Sequence, residues 1–367
     1  MNKRILIVLL ALVALPFVTL AQLDADGPYI FYNTDGTARI VSVDVAGSIS
    51  DVTVPAPKTG DKFTVTEHDG AHSFEVTLHG FSRPEWKRPA PEKMFIMSDP
   101  HGRLDCVISL LQGNGVIDND LHWSFGEGEL FVIGDVCDRG KDVVQIYWLL
   151  YELEAEAQAA GGRVTFVYGN HEPMVLSGDL RYTKKKYLQL ADSLGLEYRK
   201  MLGPDTELGR WFATRNTIEV VGDALFVHAG LGQDFLNRNL EIPYVNKVMS
   251  RGLFMTKEER KADSEELYYM FKSLSPIWYR GLVLKDMKYY PADEIVLAYA
   301  LTRYGVKRIY VGHTIFPDVK SRFGGRVVGV NVDNALNRDR KRGRAVLVEN
   351  GKRYVVTDEA RRLRTLN

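Results

Sequence analysis

Along the chain the pattern of apolar and polar positions changes character near Met94. Before it, from residue 27 to about 80, short alternating runs are broken by turn pairs. Runs 29–32 and 38–45 are separated by Asp35-Gly36, and runs 63–67 and 74–78 flank Asp69-Gly70. Alternation is the two-residue period of a strand with one buried face, and Asp-Gly supplies the backbone of a tight hairpin. The pattern predicts a small antiparallel β module. Pro84, Arg88, Pro89 and Pro91 then form a stiff connector, since proline cannot continue a sheet ladder.

From Met94 the pattern becomes α/β. Runs 94–97, 130–133, 164–168, 224–227 and 308–311 are predominantly apolar, as expected of strands buried on both faces. A helix is predicted from about 142 to 160, apolar at Val143, Ile146, Leu149, Leu150 and Leu153 and stopped by Gly161-Gly162. Residues 177–290 are charged, rich in Tyr and Leu and helical in pattern, which predicts a largely helical insertion over a site. Runs 327–332, 345–348 and 354–357 close the chain as further strands.

The first residues have the build of a signal peptide. Lys3 and Arg4 precede an apolar stretch at 5–18, and Thr19-Leu20-Ala21 offers a small-residue cleavage site before Gln22. The apolar stretch is short for a membrane span of about 20 residues, so export to the periplasm or beyond is expected without stable membrane insertion. The predicted organisation is a signal peptide at 1–21, a β module and linker at 22–90, and an α/β domain at 91–360. Lys plus Arg and Asp plus Glu both total 47, which gives no basic footprint for nucleic acid. Cys106 and Cys137 are too few for a disulfide framework and are expected to be buried thiols.

Each apolar run from 94 onward that leads into the α/β core ends in residues able to bind a metal or a phosphate. The blocks are Asp99-Pro100-His101-Gly102, Gly134-Asp135-Val136-Cys137-Asp138-Arg139-Gly140, Gly169-Asn170-His171-Glu172, His228-Ala229-Gly230 and Gly312-His313-Thr314. In open α/β sheets ligands bind outside the carboxyl ends of strands. Carboxylate, imidazole and amide oxygen suit hard or borderline divalent cations. Two cations about 3.5–4 Å apart need a bridging ligand, and Asp135 in the densest block is the candidate. One Asp-x-His alone is an ordinary surface turn; five such blocks in order, each after an apolar strand, are not. Of the remaining histidines, His68 and His72 are expected to be solvated hairpin residues, and His79 and His122 surface or core-edge residues.

The five blocks resemble the calcineurin-like metallophosphoesterases, specifically their phosphoprotein phosphatase branch. The exported, β-prefixed form resembles the bacterial Shewanella-like protein phosphatases. The resemblance covers residues 94 to about 356, and Ser275-Pro276-Ile277-Trp278-Tyr279-Arg280-Gly281 resembles that family's distal arginine motif. It implies an α/β fold, a β-sandwich flanked by helices, and two divalent metal ions (Mn, Fe or Zn). Asp99, His101 and Asp135 would hold one ion; Asp135, Asn170, His228 and His313 the other. Arg139 and Arg280 would clamp a phosphate also touched by Asn170 and His171. His171 would be the general acid, oriented by Asp138, and hydroxide generated between the two ions would be the nucleophile. Ser98 replaces the Gly usual before the first aspartate, and Ile315 stands where many other metallophosphoesterases have a second His, a departure shared with the phosphoprotein phosphatases. The expected activity is phosphomonoester hydrolysis on phosphoserine, phosphothreonine or phosphotyrosine of a protein. The alternatives are a small-molecule or nucleotide phosphohydrolase, such as a dinucleoside polyphosphate hydrolase, and a non-catalytic binding module. The last would be expected to lack a ligand or His171, and none is missing.

Overall fold

A strand that is apolar on both faces must be covered twice, and here a second sheet covers one face and helices the other. The computed structural model describes residues 23–339, 343–360 and 362–366; the predicted signal peptide at 1–21 lies outside them. One six-stranded sheet runs in the order Arg362–Thr365, Lys352–Val356, Ala345–Glu349, Lys93–Met97, Glu129–Val132, Arg163–Phe166, with the last three strands parallel. The other runs Lys320–Arg322, Val327–Gly329, Arg308–Val311, Ala224–Val227, Ile218–Val221, Lys87–Arg88.

Alternate side chains of each strand go to different cores, as the pleat requires. Met94, Ile96, Phe131, Phe226 and Tyr310 meet between the sheets, where the Phe131, Phe226 and Tyr310 rings stack with centroids 4.0 and 4.9 Å apart. Phe95, Met97, Leu130 and Val132 face outward onto helices Leu104–Gly113 and Val143–Ala159. Leu225, Val227, Ile309 and Val311 face the helices behind the second sheet, including Ile242–Gly252 and Glu294–Tyr304. This is the expected β-sandwich flanked by helices.

The N-terminal β module is present as a three-stranded antiparallel sheet, Asp26–Tyr32, Thr37–Val43 and Ile49–Pro55, and a hairpin, Lys62–Thr66 and Ser73–Thr77. Its Tyr29, Val41, Val65 and Val76 join one core with Val144, Trp148 and Leu149 of the helix Val143–Ala159. That helix is buried nearly all round over its first three turns because it lies between the module and the first sheet. Trp148 Nε1 donates to the Pro28 carbonyl at 2.9 Å, and buried Lys186 Nζ donates to the carbonyls of Ala25 at 2.9 Å and Lys141 at 2.7 Å.

Three features differ from the sequence expectations. Within the proline-rich connector, Lys87–Arg88 pairs with Ile218–Val221 as an edge strand, the position where a ladder tolerates neighbouring proline. Residues 177–290 are not one insertion: helices on either side are separated by the antiparallel pair Ile218–Val221 and Ala224–Val227, which belongs to the second sheet. His68 is half-buried rather than freely solvated, because its backbone N and its Nδ1 meet the buried Asp142 carboxylate at 2.8 and 2.9 Å. Among the described residues no helix is long and apolar enough to cross a membrane.

Candidate metal centre and phosphate site

Five strands, Lys93–Met97, Glu129–Val132, Arg163–Phe166, Ala224–Val227 and Arg308–Val311, end on one rim of the sandwich, and the loops that leave them turn inward. The turns are tight enough to force unusual backbone. Twelve described non-glycine residues have positive φ; Asp99, His101, Asp135, Asp138, Arg139 and His313 are six of them. Such conformations cost on the order of 1–3 kcal/mol each and persist where surrounding structure over-determines them. Here the cost fixes the direction of the side chains.

Asp135 is the centre of the arrangement. Its Oδ2 lies 3.1 Å from His228 Nε2 and 3.9 Å from the Nε2 atoms of both His101 and His171. Its Oδ1 accepts the His171 backbone N–H at 2.9 Å. His228 Nε2 is also 3.2 Å from Asn170 Oδ1. The Asp99 carboxylate accepts the His313 backbone N–H at 3.1 Å, which brings the first and fifth loops together. Ser98 Oγ bonds the same carboxylate, so the serine that replaces glycine adds a donor. Room for it comes from Gly312, where a Cβ would strike Ser98 Oγ and Asp99 Oδ2.

The tautomers are set from behind. His101 Nδ1 bonds the Cys137 carbonyl at 2.7 Å and His228 Nδ1 the Ile133 carbonyl at 2.8 Å, so each ring, when neutral, directs an Nε2 lone pair inward. His313 Nε2 is buried with no hydrogen-bond partner among the described residues. An orphaned buried imidazole nitrogen beside carboxylates is what a metal ligand looks like without its ion. Ligand atoms of His101, Asp135 and His171, and of Asp135, His228 and His313, lie within 4.8 Å of one another, two groups that share Asp135. The donor set fits divalent cations. A third grouping, Glu67, His68 and Asp69, lies in the N-terminal hairpin, where His68 is taken by Asp142 and Glu67 by His72.

Electrostatics agree with that fit. Burial pushes the Asp99 carboxyl up to about 7. Burial also acts on Asp135, but the facing His228 and His171 hold it well below the usual carboxylate range. Burial lowers His101 to about 4 and also holds His313 well below its usual value. His228 runs the other way: burial opposes its charge, yet Asp135 and Asp99 raise it to about 9. A cation entering this centre therefore displaces protons from Asp99 and His228.

The residues expected to bind phosphate border the centre. Buried His171 holds Nδ1 2.6 Å from Asp138 Oδ2, leaving Nε2 toward Asp135, and its pKa is raised: burial opposes the charge, but Asp135 and Asp138 outweigh it. Arg280 Nη1 donates to Thr314 Oγ1 at 3.0 Å and to the His313 carbonyl at 3.2 Å, and it feels the charges of Asp99, Asp135 and Arg139. Arg139 is exposed, with its guanidinium 5.5 Å from the Tyr182 ring. The structure thus gathers all ten residues singled out in the sequence: Asp99, His101, Asp135, Asp138, Arg139, Asn170, His171, His228, Arg280 and His313.

Three contributors were not legible as such. Glu172 is buried and accepts the backbone N–H groups of Asp135, Val136, Cys137 and Gly169 and the Tyr147 hydroxyl, so one carboxylate shapes two ligand loops. Thr183 Oγ1 donates to Asp138 Oδ1 at 2.7 Å, completing the support of His171. Tyr182 holds its ring 5.4 Å from that of His171. Cys106 and Cys137 are buried and not joined in a disulfide, and burial raises Cys137 well above a normal thiol, the opposite of a nucleophile.

Known proteins share this frame. The family described as calcineurin-like phosphoesterase matches residues 93–317. The chain is 30% identical over 268 residues to Shewanella-like protein phosphatase 2 of Arabidopsis thaliana, covering 61% of this chain and 66% of that protein. It is 26% identical over 229 residues to Shewanella-like protein phosphatase 1 of Plasmodium berghei, covering 61% and 62%. The matches thus span slightly less than two thirds of either relative. Among solved structures, a cold-active protein-tyrosine phosphatase of a psychrophilic Shewanella superposes with a TM-score of 0.83 at 29% identity, covering 94% of this chain and all of that one. Since the family match takes in more than half of the chain and contains all five strand-end loops, the chain belongs to the calcineurin-like phosphoesterases, hydrolases of phosphate esters.

Proposed function

We propose that the chain is a metal-dependent phosphomonoesterase that acts on phosphotyrosine in proteins and uses two divalent ions sharing Asp135. The observation that carries the reading is the convergence of three imidazole Nε2 atoms on Asp135 Oδ2, bordered by the His171–Asp138 pair and two guanidiniums. The preference for phosphotyrosine is supported by the likeness to the Shewanella protein-tyrosine phosphatase, which extends over 94% of the chain. Tyr182 supports it independently, as an exposed ring beside His171 and Arg139 suited to stacking on a phenyl ring.

Asp99, His101 and Asp135 would hold one ion, and Asp135, Asn170, His228 and His313 the other. Divalent ions at such a centre acidify a water to supply the nucleophile and polarise the phosphoryl group. The residues supply the rest. Arg139 and Arg280 grip the non-bridging oxygens and favour a dianionic monoester over a diester. The nucleophilic oxygen forms its bond to phosphorus in line as the bond to the tyrosyl oxygen breaks. His171 Nε2 gives its proton to that departing oxygen, while Asp138, held by Thr183, keeps the ring in place and stabilises its charge. Export to the periplasm, expected from residues 1–21, is part of the same proposal.

The test is turnover of a phosphotyrosine peptide, the matching phosphoserine peptide, p-nitrophenyl phosphate and bis-p-nitrophenyl phosphate, before and after removal of metal by a chelator. The expected order is phosphotyrosine above phosphoserine and monoester above diester, with all activity lost to the chelator and restored by Mn. A faster diester, or activity indifferent to metal, would contradict it.

A further inference from the structure

A cavity of about 520 Å³ opens beside the metal centre. It shares Asn170 with the centre and is walled by Trp278, whose ring meets that of His313 edge-on at 5.6 Å. Met174, Tyr268 and Phe271 give it an apolar, mostly aromatic lining. Its remaining wall is cationic. Arg260 is 5% exposed and donates only to the carbonyls of Gly252, Leu253 and Pro173 among the described residues, with its guanidinium 3.7 Å from the Phe271 ring centroid. Lys272 lies over the Tyr268 ring at 4.5 Å, and Lys257 is exposed in the first turn of the helix Lys257–Asp263. None of the three makes an ion pair with a carboxylate among the described residues. Of the two acids lining the cavity, Asp179 is bonded through both oxygens to Arg181, and only Glu258 is left without a cation among the described residues.

Three cations without carboxylate partners around an aromatic floor, next to a phosphate site, have a definite complement. We infer that this cavity binds an acidic side chain, glutamate or aspartate, carried by the substrate within a few residues of the phosphotyrosine. The stem of such a side chain packs on Phe271 and Trp278, and its carboxylate faces Lys257, Lys272 and Arg260. The cavity thereby selects acidic peptide contexts, and the preference weakens as salt screens the exposed lysines. This rests on the phosphotyrosine phosphatase reading above.

The experiment compares phosphotyrosine peptides identical except for Glu or Lys in the three positions on either side, with p-nitrophenyl phosphate as a substrate too small to reach the cavity. In the natural protein the acidic peptide should have a kcat/KM roughly fivefold to twentyfold higher, carried by KM, as a few partly exposed ion pairs allow. The ratio of the two peptides is then measured within the double variant Lys257→Glu/Lys272→Glu, so that any overall change in rate cancels. It should fall to unity or invert. Equal use of both peptides by the natural protein, or an undiminished acidic preference in the variant, overturns the inference while p-nitrophenyl phosphate turnover leaves the phosphatase reading standing. If p-nitrophenyl phosphate and both peptides are all untouched by the Mn-loaded protein, the phosphatase reading fails and the inference falls with it.

Discussion

At the scale of single residues, the centre is built by pairs in which one partner acts and the other aims. His171 is aimed by Asp138, and Asp138 in turn by Thr183. His101 and His228 are aimed by backbone carbonyls. The acting residues were legible in the sequence because their types stand out at the ends of apolar strands. Asp138 was legible with them through the family resemblance, but the aiming groups behind the others were not: Thr183 is an ordinary polar residue 45 positions from Asp138 in the chain, and only folding makes it a partner. Glu172 was visible beside His171, but its part as acceptor for four N–H groups of two loops has no local signature. The role of His171 can be separated from that of its neighbours by the leaving group. A phenolate with pKa about 10 needs a proton more than the less basic nitrophenolate does. His171→Asn is therefore expected to slow a phosphotyrosine peptide by about 10²–10⁴-fold and p-nitrophenyl phosphate distinctly less, with metal content unchanged. The comparison requires rates limited by chemistry. Equal losses on both substrates would mean that His171 grips phosphate rather than protonating the leaving group.

At the scale of elements, strands announced themselves where both faces are buried or where one face alternates around a tight turn, and some others stayed silent. Lys93–Met97 and Arg308–Val311 have continuous apolar runs because each contributes to two cores. Arg362–Thr365 is exposed at all four positions and is held by ladder bonds and by its arginines, Arg362 on Glu349 and Arg364 on the Val319 carbonyl, which leave no apolar pattern to read. Ile218–Val221 is obscured by Glu219, an acid inside a fully buried strand. The explanation comes from the connector. Arg88 bonds Glu219 Oε2 at 2.5 Å, chelates Glu129 of the other sheet and reaches Thr165 Oγ1 at 2.9 Å. The arginine ties the two sheets together at a buried site. Removing one partner of a buried ion pair typically costs about 3–5 kcal/mol, because the charges left behind lose their compensation. Arg88→Met should thus lower the stability measured by urea unfolding by about that amount, although it touches no metal ligand. A change below about 1 kcal/mol would show that Glu129 and Glu219 find other partners or take up protons at little cost.

At the scale of the whole molecule, the sandwich brings five loops, from Asp99 to His313, to one rim, so that residues more than 200 positions apart share a hydrogen bond between Asp99 and His313. The sequence could be read as far as that rim because each loop follows its own buried strand. What it could not supply is how the parts outside the sandwich attach. The N-terminal module looked separable by its hairpins and prolines, yet it shares a core with the helix Val143–Ala159, whose other side covers the first sheet. The stretch 177–290 looked largely helical around the strand at 224–227, yet that strand is half of an antiparallel pair with Ile218–Val221, by which the chain passes back through the second sheet midway. Both attachments depend on contacts between distant segments. The rim carries the central proposal: a single carboxylate, Asp135, belongs to both groups of ligand atoms and would serve both halves of a two-ion centre. The direct measurement is the Mn content of the reconstituted protein, together with its turnover of a phosphotyrosine peptide, for the natural chain and for Asp135→Asn. The natural chain should carry two ions per molecule and turn over, and the variant should carry at most one, with no turnover above the metal-free control. An Asp135→Asn protein that holds two ions and works at the natural rate would contradict the shared-carboxylate centre.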